Sequence, residues 1–268
     1  MKRVGFFTLY GVQTSSRRPI ISDIMSKNVV TAYADSNVTT AIRLMVEKNI
    51  GSIVVIDNEG PYGIFSERDL LRNVLGKQKS PDSQILMEVT PRTFSEIEED
   101  QTLGQAARQM ISKRSRLTVF EGDELVGIVT ASDIVRAIYD NDLRFYVGDC
   151  VRKKVVIVDP ETPVEAAIQI MNSRRIGSVL VGEGEKLGIF TERDMLKRLV
   201  AKRSSMKSPV QKFVSAPLIT ASIGIGAYEV SELMMKNKIK RLPLKKAGKI
   251  AGILTARDIV RGCAARIK

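Results

Sequence analysis

The sequence predicts an α/β fold of the α+β kind: four β-α-β-β-α units in tandem, packed as two pseudo-symmetric pairs. Three observations predict it. First, one segment type occurs four times, as GIFSERDLL at 63–71, GIVTASDIV at 127–135, GIFTERDML at 188–196 and GILTARDIV at 252–260. Its hydroxyl residues, Ser66, Thr130, Thr191 and Thr255, follow one another at 64, 61 and 64 residues, a period that marks an internal repeat. Second, copy one matches copy three and copy two matches copy four at a constant offset of 125 residues. NIGSIVVI at 49–56 has its counterpart in RIGSVLVG at 175–182, and both lead into the Glu-Arg-Asp form of the motif, as duplication of a two-copy module would leave them. Third, the hydrophobic period changes within each copy in the same order.

Copy one shows that order. Residues Val38 to Asn49 place Ala41, Leu44 and Met45 at helical spacing, which predicts an amphipathic helix. Met45, Met110, Met171 and Met234 recur at one place in this helix, as core positions do. SIVVID and PYGIF are β-branched runs joined through the turn residues Asn58-Glu59-Gly60-Pro61, and Ser66 to Leu75 returns to helical spacing with Ser66 as a natural N-cap. A small sheet covered by helices on one face leaves its other face open, so units of this kind pack in pairs. The period divides the chain into an arm at 1–18 and copies at 19–80, 81–142, 143–206 and 207–268, grouped as modules 19–142 and 143–268. The seam falls near Asp140 to Cys150, where the run YDNDL offers turn chemistry.

Composition narrows the function. The chain of 268 residues has no histidine, which removes the commonest general base and zinc ligand. Cys150 and Cys263 lack metal-ligand spacing and read as structural, fitting a reducing compartment. No apolar run reaches the ~20 residues that span a bilayer, so a cytoplasmic protein without membrane contact is expected. The net charge of +12 favours phosphate ligands, nucleic acid or acidic partners. The basic residues are nevertheless dispersed, with concentrations at Arg152 to Lys154, Lys202 to Lys207 and Lys236 to Lys249, and aromatic residues for base stacking are scarce at 5%. Gly182-Glu183-Gly184 and Gly224-Ile225-Gly226 do not lead from a strand into a dinucleotide-binding helix and read as a hairpin turn and a loop.

The fourfold motif Gly-hydrophobic-x-Ser/Thr-x-x-Asp, with a strand such as RLPL at 241–244 before it, resembles the cystathionine β-synthase (CBS) domain family over roughly residues 20 to 268. The resemblance implies paired domains with clefts that in many relatives bind AMP, ADP, ATP or S-adenosylmethionine. It assigns Asp69, Asp133, Asp194 and Asp258 to the ribose, whose vicinal hydroxyls a carboxylate can accept. Ser66, Thr130, Thr191 and Thr255, at helix starts, are assigned to phosphate or ribose, and Arg68, Arg193 and Arg257 to phosphate charge; copy two carries Ser132 there. For the base, the implied walls are Val30, Ile50, Gly51 and Ile64 in copy one, and Val156, Ile176, Gly177 and Ile189 in copy three. Copy four offers Ile219, Ile239, Lys240 and Ile253, and copy two the more polar Ser95, Arg114, Ser115 and Ile128. Each motif taken alone reads first as a plain helix cap, and only its fourfold recurrence favours the ligand.

The expected function is therefore that of a regulatory, energy-sensing protein and not an enzyme, with no catalytic cofactor or metal. It binds AMP, ADP or ATP, or S-adenosylmethionine, between domains and signals to a separate effector protein. One chain, or a homodimer, would complete a disc of four domains. The alternative is a nucleic-acid-binding regulator that uses the basic surface, including Lys2, Arg3, Arg17 and Arg18.

Overall fold

In the computed structural model, which describes residues 19–113, 116–148, 151 and 155–267, each copy forms one three-stranded sheet. In copy one, β1 (Thr31–Tyr33) pairs parallel to β2 (Ser52–Asp57), which turns back antiparallel into β3 (Gly60–Ser66). Helix α2 (Val38–Glu47) makes the crossover from β1 to β2. Copies two to four repeat this order with β4 (Ser95–Glu96), β5 (Leu117–Glu121) and β6 (Glu124–Val129); β7 (Ile157–Val158), β8 (Ser178–Val181) and β9 (Gly188–Thr191); and β10 (Ala221–Ser222), β11 (Arg241–Lys246) and β12 (Lys249–Thr255). The crossover helices are α5 (Leu103–Lys113), α7 (Val164–Ser173) and α9 (Ala227–Lys236). All four recurring methionines are buried in these helices.

The closing helices come in two kinds. Those of copies two and four, α6 (Ala131–Asp140) and α10 (Ala256–Arg266), are continuous α-helices. Those of copies one and three make a single α-helical turn, α3 (Glu67–Asp69) and α8 (Glu192–Asp194), and then widen into π-helical stretches at Leu70–Val74 and Met195–Val200. The plain helix expected from Ser66 to Leu75 is thus interrupted. A π turn holds more residues than an α turn, so it brings the fourth residue after the aspartate, rather than the third, alongside it.

Apolar burial joins copies across the duplication. One core gathers Ala41, Met45, Phe65 and Leu71 of copy one with Ala167, Met171, Phe190 and Leu199 of copy three. The other gathers Ala107, Leu117 and Ile138 of copy two with Val230, Leu254 and Ile259 of copy four. The apolar stripes of the helices drive this pairing. Within module one the sheets meet through a smaller cluster of Val54, Ile64 and Ile128. In module one the two copies thus pair, and the helix faces of the crosswise cores join the two modules.

The leading segments of the copies are exchanged. Helix α1 (Ile21–Ile24) opens copy one yet buries Ile21 and Ile24 in the core of copies two and four, and Ser26 pairs with Ile128 of copy two. Reciprocally, α4 (Leu86–Val89), near the start of copy two, buries Leu86 and Val89 with copy one. Phe145 and Val147, which open copy three, lie in the core of copies two and four, where the Phe145 carbonyl accepts the Ala227 amide at 2.9 Å. Val210 and Phe213 open copy four and pack with copy three, and Ser215 pairs with Ile189 there. The seam near 140–150 does turn at Asp142, whose φ is +48°, but Leu143, Phe145 and Val147 anchor it by burial, so it is not a free linker.

Candidate functional site

Each motif sets its hydroxyl residue at the N-cap of the closing helix. In copies two, three and four the cap is reciprocal. The amide and hydroxyl of Thr130 donate to Asp133 Oδ2 at 2.8 and 2.7 Å, those of Thr191 to Asp194 Oδ2 at 3.0 and 2.6 Å, and those of Thr255 to Asp258 Oδ2 at 3.0 and 2.6 Å. The threonine hydroxyls expected at phosphate therefore already give their protons to the carboxylate three residues on. The second carboxylate oxygens are also engaged. Asp133 Oδ1 accepts from Ser26 at 3.1 Å and from Arg136 at 2.7 Å. Asp194 Oδ1 accepts from Ser215 at 2.9 Å and has Arg198 at 3.4 Å, and Asp258 Oδ1 accepts from Arg261 at 2.8 Å. These three aspartates are buried, as carboxylates so fully paired can be.

Asp69 differs. The buried Ser66 hydroxyl donates to its Oδ2. Burial raises its carboxyl above the ordinary aspartate range, against the opposing pull of the Ser66 hydrogen bond and of the Arg116 and Arg68 charges.

Between copies one and three lies a charged cluster. Glu67 and Glu192, the first residues of the two Glu-Arg-Asp motifs, are each only 5% exposed. Arg193 of copy three reaches Glu67 of copy one at 3.1 Å, and Arg68 of copy one faces Glu192 of copy three at 3.6 Å. Arg193 and Lys197 also donate to Asn49 Oδ1 of copy one, the former at 2.8 Å. Copy four adds Lys240, 3.7 Å from Glu67, and Arg241, hydrogen bonded to Glu192. Arg116 of copy two, in register with Arg241, acts electrostatically on both glutamates. Burial alone would raise the Glu192 carboxyl, but Arg241, Arg68 and Lys240 outweigh it and hold it below the ordinary glutamate range. The glycines expected at the base, Gly51 and Gly177, make room for this cluster. A Cβ at Gly51 would stand 2.6 Å from Lys240 Nζ, and one at Gly177 would overlap the Arg241 guanidinium.

The family model of the CBS domain matches residues 21–76, 94–140, 147–201 and 210–265. The chain belongs to the CBS-domain family. Among curated relatives of this CBS protein, the uncharacterized protein MJ1404 of Methanocaldococcus jannaschii is 26% identical over 263 residues, covering 90% of this chain and 61% of its own. An uncharacterized 33.4 kDa protein of Thermofilum pendens is 32% identical, covering 62% of this chain and 60% of its own, so the chain spans about three fifths of the length of these relatives. Inosine-5'-monophosphate dehydrogenase of Aquifex aeolicus is 40% identical over 110 residues, only 22% of that enzyme. Among solved structures, protein MJ1225 of Methanocaldococcus jannaschii, proposed as an archaeal homologue of γ-AMPK, aligns with a TM-score of 0.74 at 18% identity, over 91% of this chain and 99% of its own.

Within the CBS units the remaining expected residues are placed as follows. Ile64 and Ile128 are buried in the sheet-to-sheet cluster of module one. Val30, Ile50, Val156 and Ile176 pack half-buried against the core of copies one and three, and Ile219 and Ile239 against that of copies two and four. Ile189 and Ser95 are half-buried, Ile253 is buried, and Arg257 is half-buried beside Asp258 in the chain. Arg114, Ser115, Cys150, Arg152 to Lys154 and the N-terminal arm lie outside the described residues. Cys263 is buried, and burial pushes its thiol up to about 12, which fits a structural role.

Sequence reasoning passed over Glu67 and Glu192, although their restriction to copies one and three was readable. It also passed over Ser26 and Ser215, which reach the aspartates of other copies through the exchanged segments.

Proposed function

We propose that this CBS protein is a non-catalytic regulatory sensor of adenine nucleotides, AMP, ADP or ATP, or of S-adenosylmethionine, that passes ligand occupancy to a separate effector protein. The observation that carries this reading is the charge imbalance between copies one and three. There Arg68, Arg193, Lys240, Arg241 and Arg116 surround only two glutamates, close to a motif carboxylate. Surplus cations held partly out of water favour a polyanion such as a nucleotide phosphate. The family, and the proposed relation of MJ1225 to γ-AMPK, support the same reading.

The cluster also supplies a route for a signal. Arg68 and Arg193 are held by the glutamate of the opposite module, so a phosphate that recruits either arginine competes with a contact between modules. Ligand binding then shifts the balance between two arrangements of the modules, and an effector that prefers one of them alters nucleotide affinity in return. Calorimetric titration of nucleotide-free protein with the four ligands tests the reading. Saturable binding is expected, and its absence for all four refutes it.

A further inference from the structure

We propose that the ribose of the nucleotide binds at Asp69, and that Asn73 and Pro91 are the specificity-determining residues that leave this carboxylate available while the other three are latched shut. The inference rests on the sensor reading above and assigns the ligand to one cleft. Two devices close the other clefts. The first is an arginine one turn after the aspartate: Arg136 on Asp133, Arg261 on Asp258, and, across the wider π turn, Arg198 on Asp194. Arg136 also donates to the Ile24 carbonyl at 2.9 Å, and Arg198 to that of Val214, so each ties the exchanged leading segment to the motif. The second device is a serine in that segment, Ser26 on Asp133 and Ser215 on Asp194.

Copy one lacks both. Its closing helix carries the same π stretch as copy three, so the counterpart of Arg198 is Asn73. The Asn73 amide keeps the contact to the leading segment, donating to the Val89 carbonyl at 2.8 Å, but its side chain is too short to reach the carboxylate as well. The counterpart of Ser26 and Ser215 is Pro91, which has no hydroxyl; its carbonyl lies against Gly63 as that of Ser215 lies against Gly188. Asp69 Oδ1 therefore has neither partner. Around this motif two polar atoms of other residues are buried without a partner. Thr90 Oγ1, next to Pro91, and Arg72 Nε, whose guanidinium senses the Asp69 charge, are two of the three buried side-chain polar atoms without a hydrogen-bond partner among the described residues. Buried polar groups left open in this way mark where an incoming donor or acceptor gains most.

The test is titration calorimetry of the full chain with AMP, ADP and ATP, together with thermal unfolding of every variant. The wild-type protein is expected to bind one nucleotide per chain. Asp69→Asn removes the charged acceptor and is expected to weaken binding by about thirty-fold or more. Asn73→Arg builds the missing latch and is expected to produce a similar loss without lowering the melting temperature. The converse double variant, Arg198→Asn with Ser215→Ala, removes both devices from copy three and is expected to raise the stoichiometry toward two. Wild-type affinity in both D69N and N73R overturns the assignment to this cleft while leaving the sensor reading intact. A wild-type protein that binds none of the three nucleotides overturns the assignment, and one that also fails to bind S-adenosylmethionine overturns the sensor reading.

Discussion

Replacing Glu192 with glutamine tests whether the buried charge cluster holds the two modules together. The wild-type carboxylate lies among Arg241, Arg68, Lys240 and Arg116, and Arg241, at 12% side-chain exposure, is more buried than Arg68 or Lys240. Removing one member of a buried ion pair typically costs about 3–5 kcal/mol. Two features reduce that figure. Glutamine keeps a neutral hydrogen bond to Arg241, and Arg68 is 42% exposed, so solvent screens its share. A loss of about 2–3 kcal/mol at neutral pH remains, which for a chain of this size lowers Tm by about 5–10 °C. The sign of the pH dependence follows from the depressed Glu192 carboxyl. Its stabilisation is complete above the unfolded-state glutamate pKa and is lost as pH falls through the lower folded-state value. Differential scanning calorimetry of both proteins from neutral to acid pH should therefore show a gap that narrows on acidification. Equal melting temperatures at neutral pH, or a gap independent of pH, refute the reasoning.

Three further outcomes follow from the same structure. Ile259→Ala removes a fully buried side chain from the core shared by copies two and four and is expected to cost about 2–5 kcal/mol in denaturant unfolding. The Cys263 thiol, buried and shifted up to about 12, should resist a thiol reagent in folded Cys150→Ser protein at neutral pH and react once denaturant is added. If Asp69 holds the ribose as a carboxylate, nucleotide affinity should begin to fall on acidification at a higher pH than an ordinary aspartate would allow, because burial raises this carboxyl. Titrations at successive pH values measure that.

Much of the fold was legible because local chemistry and global architecture agree. The motif spacing located all four sheets, the methionines at 45, 110, 171 and 234 marked the buried helix face, and Ser66, Thr130, Thr191 and Thr255 all stand at N-caps. What escaped depends on contacts distant in the chain. Ser26 meets Asp133 across 107 residues and Arg193 meets Glu67 across 126, and no local period encodes either. The π stretches after Asp69 and Asp194 were hidden for another reason. Leu70–Val74 carries an ordinary helical pattern, and the widening shows only in which residue ends beside the aspartate. The glycines of the supposed base slots were noticed but given another purpose, since the side chains they admit come from copy four.

The exchanged segments and the crosswise cores bear on how the chain is made. As it leaves the ribosome, copy one cannot close its own body until Leu86 and Val89 have followed it, and its helix face stays bare until Phe190 of copy three and Val210 of copy four arrive. Copy two waits longer still, for Ile259 and Cys263 near the far end. A nascent chain halted after the first module would thus display two apolar faces built to match a close relative of itself, and the nearest such relative is another halted chain. Duplication placed that second half on the same polypeptide, turning an encounter that depends on concentration into one governed by the length of the tether.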